Sequence, residues 1–344
     1  MSRGWLPSGV VDYTLLCGVV VSLGTGLASL VANPNDAWLF LLHGAAGVTL
    51  VGFLGAKLWR VRRSIRAGVR ARSGRVAASI LLTLLIVAAL GSGVAWVFGA
   101  TIPGPWTLLV AHAALGVVTT VVLLGHLRDR FHVPSRADLT DRRGTLAWLG
   151  AVTVGGVAYR VTDTLGTERR VTGSREAGSD AGNRFPVTAW VADAPEPVDP
   201  EEWTLSVTGR VGRAQTYGYD DLPSATTARA LLDCTSGWYS EHAWQGVRVG
   251  DLLDAVGLQD GAAWVQFRSV TGYRWSLPLA EARDALLATR VDGERLSHGH
   301  GFPLRLVAPE RRGFQWVKWV ETVRVTRRRD RSEWVAIHVS GLGE

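Results

Sequence analysis

The residues of this sequence whose types and spacing could do chemistry are one cysteine and a set of histidines. Cys234 lies in LLDCTSGWYSEHAWQG, residues 231–246, among tryptophans and a histidine. The other cysteine, Cys17, belongs to the inner half of an apolar segment near the N-terminus, so the two cannot pair. A lone thiol has three uses: an inert buried side chain, a nucleophile, or a soft ligand for a metal. One cysteine is too few for a zinc site, which takes three or four protein ligands. It is enough if the metal brings other ligands with it. His43 in LLHGAAGVT and His112 in VAHAALGVV sit in apolar stretches with small neighbours, and His126 follows His112 by fourteen residues. Two neutral imidazoles facing each other are a ligand set for haem iron. The alternative is a pair of histidines bonded to helix backbones.

The elements that carry the histidines are membrane helices by composition. Residues 11–31, 38–56, 77–99 and 106–125 are nearly free of charge. Each can cross ~30 Å of hydrocarbon as a helix, and a soluble core helix rarely runs so far without a polar face. A fifth apolar stretch, 144–159, is shorter and glycine-rich. The net charge of +7 is unevenly spread, with +10 on residues 1–161 and −3 on residues 162–344. The excess sits in two loops, 57–75 with eight basic and no acidic residues, and 128–143. That pattern is not a nucleic-acid footprint. By the positive-inside rule it places the N-terminus and both basic loops in the cytoplasm. If the fifth stretch also spans, residues 162–344 lie outside a cell membrane crossed several times. Arg142 and Arg143 precede this weakly apolar stretch as in a twin-arginine export signal; the alternative is an ordinary basic flank. TERRVTGSREAGSDAG then reads as a polar linker. The expected division is a four-helix membrane domain over 1–130, a loop, anchor segment and linker over 131–182, and an outer domain over 183–344.

The membrane part repeats. SLGTGLASLV (22–31) recurs as ALGSGVAWVF (89–98), and LLHGAAGVT (41–49) as VAHAALGVV (110–118). Two copies of a helix pair running in the same direction give this pattern. The repeat puts His43 and His112 at equivalent depths, ~8 Å inside the outer ends of their helices. Gly44, Ala45 and Gly47 beside one, and Ala113, Ala114 and Gly116 beside the other, leave clearance for a flat macrocycle. An intramembrane histidine is a functional residue by default, so one haem b between His43 and His112 is expected. His126 lies on the same face as His112, ~21 Å further along, a spacing similar to membrane b-type cytochromes with two stacked haems. Its repeat mate is Lys57, so a second haem at His126 lacks a second imidazole.

The outer part reads as α+β and mostly β. WTLSVTGRV, WVQFRSV, PLRLVAP, WVKWVETVRV and WVAIHV pattern as strands, VGDLLDAVG and LAEARDALLA as helices. His242 and His298 read as surface polar groups, and RRRDR (327–331) as a solvated face. LLDCTSGWYSEHAWQGVRVGDLLDAVG, FRSVTGYRWSLPL and HGHGFPLRLVAPERRGFQWVKWVETVRV, in that order, resemble the molybdopterin-binding oxidoreductase domain of the sulfite oxidase superfamily. Within it they are most similar to the periplasmic protein-methionine-sulfoxide reductases. The resemblance covers roughly residues 183–330. It implies that Cys234 ligates molybdenum beside a pterin dithiolene. It implies pterin contacts from Asn183, Ser269 (threonine in the reductases), His300 (asparagine there), and Trp316 and Val317. Arg305 and Lys318 would hold the cofactor's phosphate. Pro186 and Val187 replace polar contacts. Trp238 and Tyr239 would shape the substrate mouth, or merely pack.

The expectation is therefore a membrane-anchored molybdenum enzyme on the outer face. It would transfer an oxygen atom in sulfoxide- or N-oxide-type reduction of a small molecule or protein sulfoxide, with haem b relaying electrons from the quinone pool. The twin-arginine machinery would export it. The alternatives are oxidation of sulfite or a similar substrate, with electrons flowing inward, and a non-catalytic assembly module.

Overall fold

The charge-free stretches form helices of the length that hydrocarbon requires. The computed structural model describes residues 8–32, 36–71, 74–104, 106–128, 142–189, 193–223 and 225–341. Helices α1 (Ser8–Val31), α2 (Ala37–Arg70), α3 (Gly74–Val97) and α4 (Leu108–Leu127) come first. Among the described residues these four are long and apolar enough to cross a membrane. Helix α2 has 34 residues, and its second half carries the basic cluster from Lys57 to Arg70. The expected fifth segment is helical, as α5 (Arg142–Leu165). It falls outside the set of four because glycines, threonines and Arg160 dilute its apolar run. Helix α5 packs on α2 through small residues: a Cβ on Gly44 would sit 1.9 Å from the Tyr159 ring, and one on Gly155 2.0 Å from the Thr49 hydroxyl. The rest of the second basic loop, and the side chains of Arg142 and Arg143, lie outside the described residues.

The chain divides into two compact units, residues 1–173 and 174–344. The second unit starts before the expected boundary at 183. Arg175 and Glu176 form a short strand, β1, parallel to the start of β5 (Trp238–Arg248), so the end of the expected linker belongs to the sheet. The first sheet has the order β1-β5-β8-β10, where β8 is Leu286–Val291 and β10 Arg305–Val307. Strand β4 (Thr226–Asp233) pairs β5 and β9 (Glu294–Arg295) pairs β8. The second sheet has the order β3-β2-β11-β6-β7, from Gln215–Gly218, Thr204–Gly209, Val320–Thr326, Trp264–Ser269 and Arg274–Pro278. Helices α6 (Val249–Val256) and α7 (Leu279–Asp284) cover them. Alternation decides the faces: Trp238, Ser240, His242 and Trp244 of β5 are all buried while Tyr239, Glu241 and Ala243 are partly exposed.

Two patterns misled. WVAIHV is not a strand but helix α8, Glu333–Val339, with Glu333, Ala336 and Ile337 buried. Glu333 anchors it by accepting the Ser276 amide at 2.9 Å and the Arg329 side chain at 2.6 Å. LAEARDALLA is helical only to Asp284; its tail joins β8, where pairing with β5 and β10 outweighs helical spacing.

Candidate functional site

Cys234 is held by a tight connection. Strands β4 and β5 form an antiparallel hairpin whose last pair is Asp233 with Tyr239. The Cys234 amide donates to the Trp238 carbonyl at 2.8 Å and the Gly237 amide donates back to the Cys234 carbonyl at 3.1 Å. Gly237 has φ 97°, a left-handed conformation that glycine adopts without strain. A Cβ on Gly313 would lie 3.2 Å from the Cys234 Cα, so a second loop presses on the cysteine. The thiol is buried, with Sγ 3.0 Å from the Ser236 hydroxyl, and is free of any disulfide. Behind the turn lies a buried ion pair, Arg312 with Asp233 at 3.5 Å. Ser174 donates to Asp233 at 2.7 Å, and Arg312 donates to the Cys234 carbonyl at 3.4 Å.

Two cations, Arg305 buried and Lys318 partly buried, share the electrostatic reach of Cys234. Arg305, at the head of β10, is 3 % exposed. It donates one bond to the His300 carbonyl at 2.9 Å, while its Nε has no partner among the described residues. Its guanidinium packs among Trp244, Trp316 and Phe185, at 5.5, 5.9 and 6.0 Å from the ring centres. Burial pulls it down to about 10, and the charge of Cys234 opposes that fall. Lys318 donates to the carbonyls of Gly299 and Thr188, at 2.6 and 2.9 Å. Burial, then the charge of Arg305, brings its ammonium down to about 7, with Asp193 and Cys234 pulling the other way. Neither cation makes an ion pair among the described residues. A buried and a partly buried cation, neither in an ion pair among the described residues, suit a bound anion with several oxygens.

The remaining expected residues surround this cluster with varied roles. His300 is buried and uses both ring nitrogens: one donates to the Phe185 carbonyl at 2.9 Å, and the other meets the Ser297 hydroxyl at 2.7 Å. Burial, opposed by that bond to Phe185, holds the ring at about 4, hence neutral. Its carbonyl, rather than its ring, serves Arg305. Asn183 spends its amide on Glu294 and Arg295 and accepts the Ser297 amide at 2.8 Å, which ties the Gly182–Arg184 turn to the 294–297 loop. Ser269 is fully buried and accepts from the Thr271 amide and hydroxyl. Trp316 and Val317 are buried; the Val317 carbonyl holds the Leu306 amide beside Arg305. Trp238 is 7 % exposed and donates to the Thr188 hydroxyl at 3.1 Å, so it packs. Tyr239 faces the other side of β5 and is partly exposed.

Sequence reasoning gave no role to Asp233 or Arg312 and misplaced His242. Rather than a surface group, His242 is fully buried on β5, with Nδ1 2.7 Å from Asp292. His298 is partly buried and reaches the Pro195 carbonyl at 2.9 Å. Arg312 lay within the quoted PERRGFQWVKW motif, the one signal that could have drawn attention to it.

The membrane unit holds a second candidate centre. The His43 Nδ1 lies 2.9 Å from the Ser22 carbonyl and 3.2 Å from the Thr25 hydroxyl. The His112 Nδ1 lies 2.9 Å from the Ala89 carbonyl and 3.2 Å from the Ser92 hydroxyl. These partners are the repeat-equivalent residues of SLGTG and ALGSG. The second glycine of each motif makes room, since a Cβ on Gly26 or Gly93 would sit 3.1 or 3.0 Å from its imidazole. The two rings face each other with centroids 5.9 Å apart and planes at 88°. His126 lies one face along α4, in its last turn. Lys57 is paired to Asp12 at 2.5 Å.

Comparison with known proteins bears on the second unit. Residues 192–334 match the family described as the oxidoreductase molybdopterin binding domain. An uncharacterized oxidoreductase of Bacillus subtilis, YuiH, is 31% identical over 44% of this chain and 78% of its own length. Mitochondrial sulfite oxidase of Mus musculus is 36% identical over 30% of this chain and 21% of its own. The protein-methionine-sulfoxide reductase catalytic subunit MsrP of Xanthomonas campestris is 27% identical over 41% of this chain and 50% of its own. The match thus spans half or less of the latter two proteins.

Proposed function

The chain belongs to the oxidoreductase molybdopterin-binding family of sulfite oxidase type, and on that footing we propose that it reduces sulfoxide- or N-oxide-type substrates at the outer face of a cell membrane. It is a molybdopterin-dependent oxidoreductase. One observation carries the reading of the site: a lone, turn-held thiol lies within electrostatic reach of two cations, Arg305 and Lys318, that make no ion pair among the described residues. These residues suit molybdopterin, whose phosphate is an anion and whose metal already carries two sulfurs. Cys234 would ligate the metal as thiolate, the soft form that binds molybdenum. The Arg305 Nε would donate to the phosphate, and Lys318 would hold it as an ammonium. When bound, the cofactor supplies two-electron oxygen-atom transfer. The chain's part is to fix the thiolate with the Asp233–Arg312 pair and to exclude water with Phe185, Trp238 and Trp244. Tyr239, on the other face of β5, is the candidate contact at the substrate mouth.

Haem b between His43 and His112 would pass electrons singly from the quinone pool to this centre. Export of the folded, loaded domain by the twin-arginine machinery would start from Arg142 and Arg143. A sulfite oxidase among the relatives favours a second reading, oxidation of a small sulfur oxyanion with electrons flowing inward. Metal analysis and a visible spectrum of the purified chain, followed by sulfoxide-dependent oxidation of a quinol analogue and sulfite-dependent reduction of the corresponding quinone, test all of this together. Stoichiometric molybdenum with sulfoxide-dependent turnover is expected. Protein without molybdenum would instead favour a non-catalytic assembly module. Arg305→Ala/Lys318→Ala is expected to be metal-poor, because two charge-assisted bonds of roughly 1.5–3 kcal/mol each are lost.

Lys318 also predicts a pH dependence. In the cofactor-free protein its folded value is about 7, against an ordinary value of about 10.4 in the unfolded chain. Between these limits the unfolded chain keeps a proton that the folded chain has released. Stability therefore rises with pH across that window, by up to about 1.4 kcal/mol per unit, and this contribution is flat below pH 7. Melting curves of cofactor-free wild type and Lys318→Met should diverge in slope only between about pH 7 and 10. Parallel curves would contradict the buried, unpaired lysine.

A further inference from the structure

Two polar atoms on the inner face of β5 have no hydrogen-bond partner among the described residues, and neither belongs to the residues so far assigned to the cofactor. The Ser240 Oγ and the His242 Nε2 are both orphaned, in side chains that are 0% exposed. Positions i and i+2 of a strand share a face, so both stand between Trp238 and Trp244 in the row that starts at the Cys234 turn. Buried polar atoms are nearly always hydrogen-bonded, and two on one face point to a polar group lying against that face.

The neighbours of His242 place it beside residues already assigned to the cofactor. The His242 ring packs on Phe185 at 4.6 Å, and the opposite neighbour of Phe185 is His300 at 3.9 Å. Trp244 lies 5.4 Å from His242 and 5.5 Å from the Arg305 guanidinium. A single aromatic ring thus separates His242 from the cation that holds the phosphate.

The dyad also fixes what His242 can offer. Asp292 accepts the Ala243 amide at 2.8 Å, the Gly182 amide at 3.0 Å and the His242 Nδ1 at 2.7 Å. Burial pushes the Asp292 carboxyl up, but the bonds from His242, Ala243 and Gly182 together bring it below the usual carboxylate value. A carboxylate only accepts, so Nδ1 carries the hydrogen, and the tautomer this selects has its lone pair on Nε2. Among cofactor parts, the fused nitrogen heterocycle of a pterin offers ring N–H and amino donors to meet it.

We propose that Ser240 and His242 form the polar wall of the cofactor pocket, with the His242 Nε2 accepting a hydrogen bond from a pterin N–H and Asp292 holding the imidazole in the accepting tautomer. The proposal rests on the molybdopterin reading above. Asp292 is a positioning residue, since it acts only through His242.

The test uses the full chain in detergent. Pterin is released with acid, quantified by fluorescence, and followed over time to give the rate at which the holoprotein loses it. His242→Leu is expected to lose pterin about tenfold faster, the equivalent of one hydrogen bond. His242→Gln, which keeps an acceptor, should stay nearer the wild type. Asp292→Asn can donate to Nδ1 and so turn Nε2 into a donor, and it should behave like His242→Leu. Ser240→Ala, the mildest change, should show a smaller acceleration and serves if His242→Leu does not fold. Melting of each cofactor-free variant separates the roles. If the variants melt lower but lose pterin at the wild-type rate, the two atoms serve only the fold or a buried water, and the proposal is overturned. Wild-type protein with no pterin at all would overturn the molybdopterin reading itself.

Discussion

Cys234→Ser is expected to abolish substrate turnover while leaving the visible haem spectrum intact. The hydroxyl is nearly isosteric with the thiol, so the turn closed by Cys234, Gly237 and Trp238 should survive, as should the contact with Ser236. What changes is the donor. A thiol releases its proton near neutral pH and is a soft ligand; an alcohol is a hard and weakly acidic one. Loss of an outer-shell partner already costs metal sites roughly 10–100-fold, and loss of the ligand itself should exceed that. The pterin should remain, because Arg305 and Lys318 are untouched. The diagnostic result is a variant with near-normal pterin, an unchanged haem band and no turnover. Wild-type turnover in Cys234→Ser would mean that the thiol is one of the inert buried cysteines that small apolar pockets commonly hold.

What could be read from the sequence follows from which interactions are local. The four long apolar helices were legible because a span of hydrocarbon would select composition directly, over a length fixed by its thickness. The repeat was legible because SLGTG and ALGSG carry the residues that hold His43 and His112, and the structure gives each motif the same bonding role. Cys234 drew attention as a lone thiol within a motif, but the turn that holds it was not foreseen, since it is closed by backbone bonds among Cys234, Gly237 and Trp238. His242 was not. Its burial depends on Asp292, some fifty residues away, and on Phe185 from a third segment, so nothing near it in sequence tells a buried polar group from an exposed one. Arg312 failed for the same reason: its partner Asp233 sits on another strand. The helix at Glu333–Val339 was missed because six apolar-rich residues fit either period, and the choice was made by Ser276 and Arg329 bonding to Glu333. Asn183 and His300 were assigned to the cofactor from resemblance alone; the Asn183 side chain is bonded to the 294–297 loop and the His300 ring to Ser297 and Phe185.

His43→Ala and His112→Ala are each expected to remove the haem, taking its content from one per chain to nearly none, while His126→Ala keeps it. A carbonyl can only accept, so the bonds to Ser22 and Ala89 put the hydrogen of each imidazole on Nδ1 and leave Nε2 as the free lone pair. Such a backbone bond is how a metal-binding imidazole is usually oriented and made more basic. The rings are 5.9 Å apart, centre to centre. His43 and His112 would hold the iron through Nε2 at about 2 Å each, and a ring spacing of this scale suits that role. Gly26 and Gly93 clear the imidazoles on the helix side. Helix-backbone bonding alone would explain the Nδ1 contacts, but not why two such histidines meet ring to ring. At the repeat-equivalent inner position, Lys57 is tied to Asp12 and has no imidazole to offer opposite His126. One haem is therefore expected rather than two. Pyridine haemochrome assay of the wild type and the three variants decides it. Two haems in the wild type, or full retention in His43→Ala, would refute the bis-histidine site.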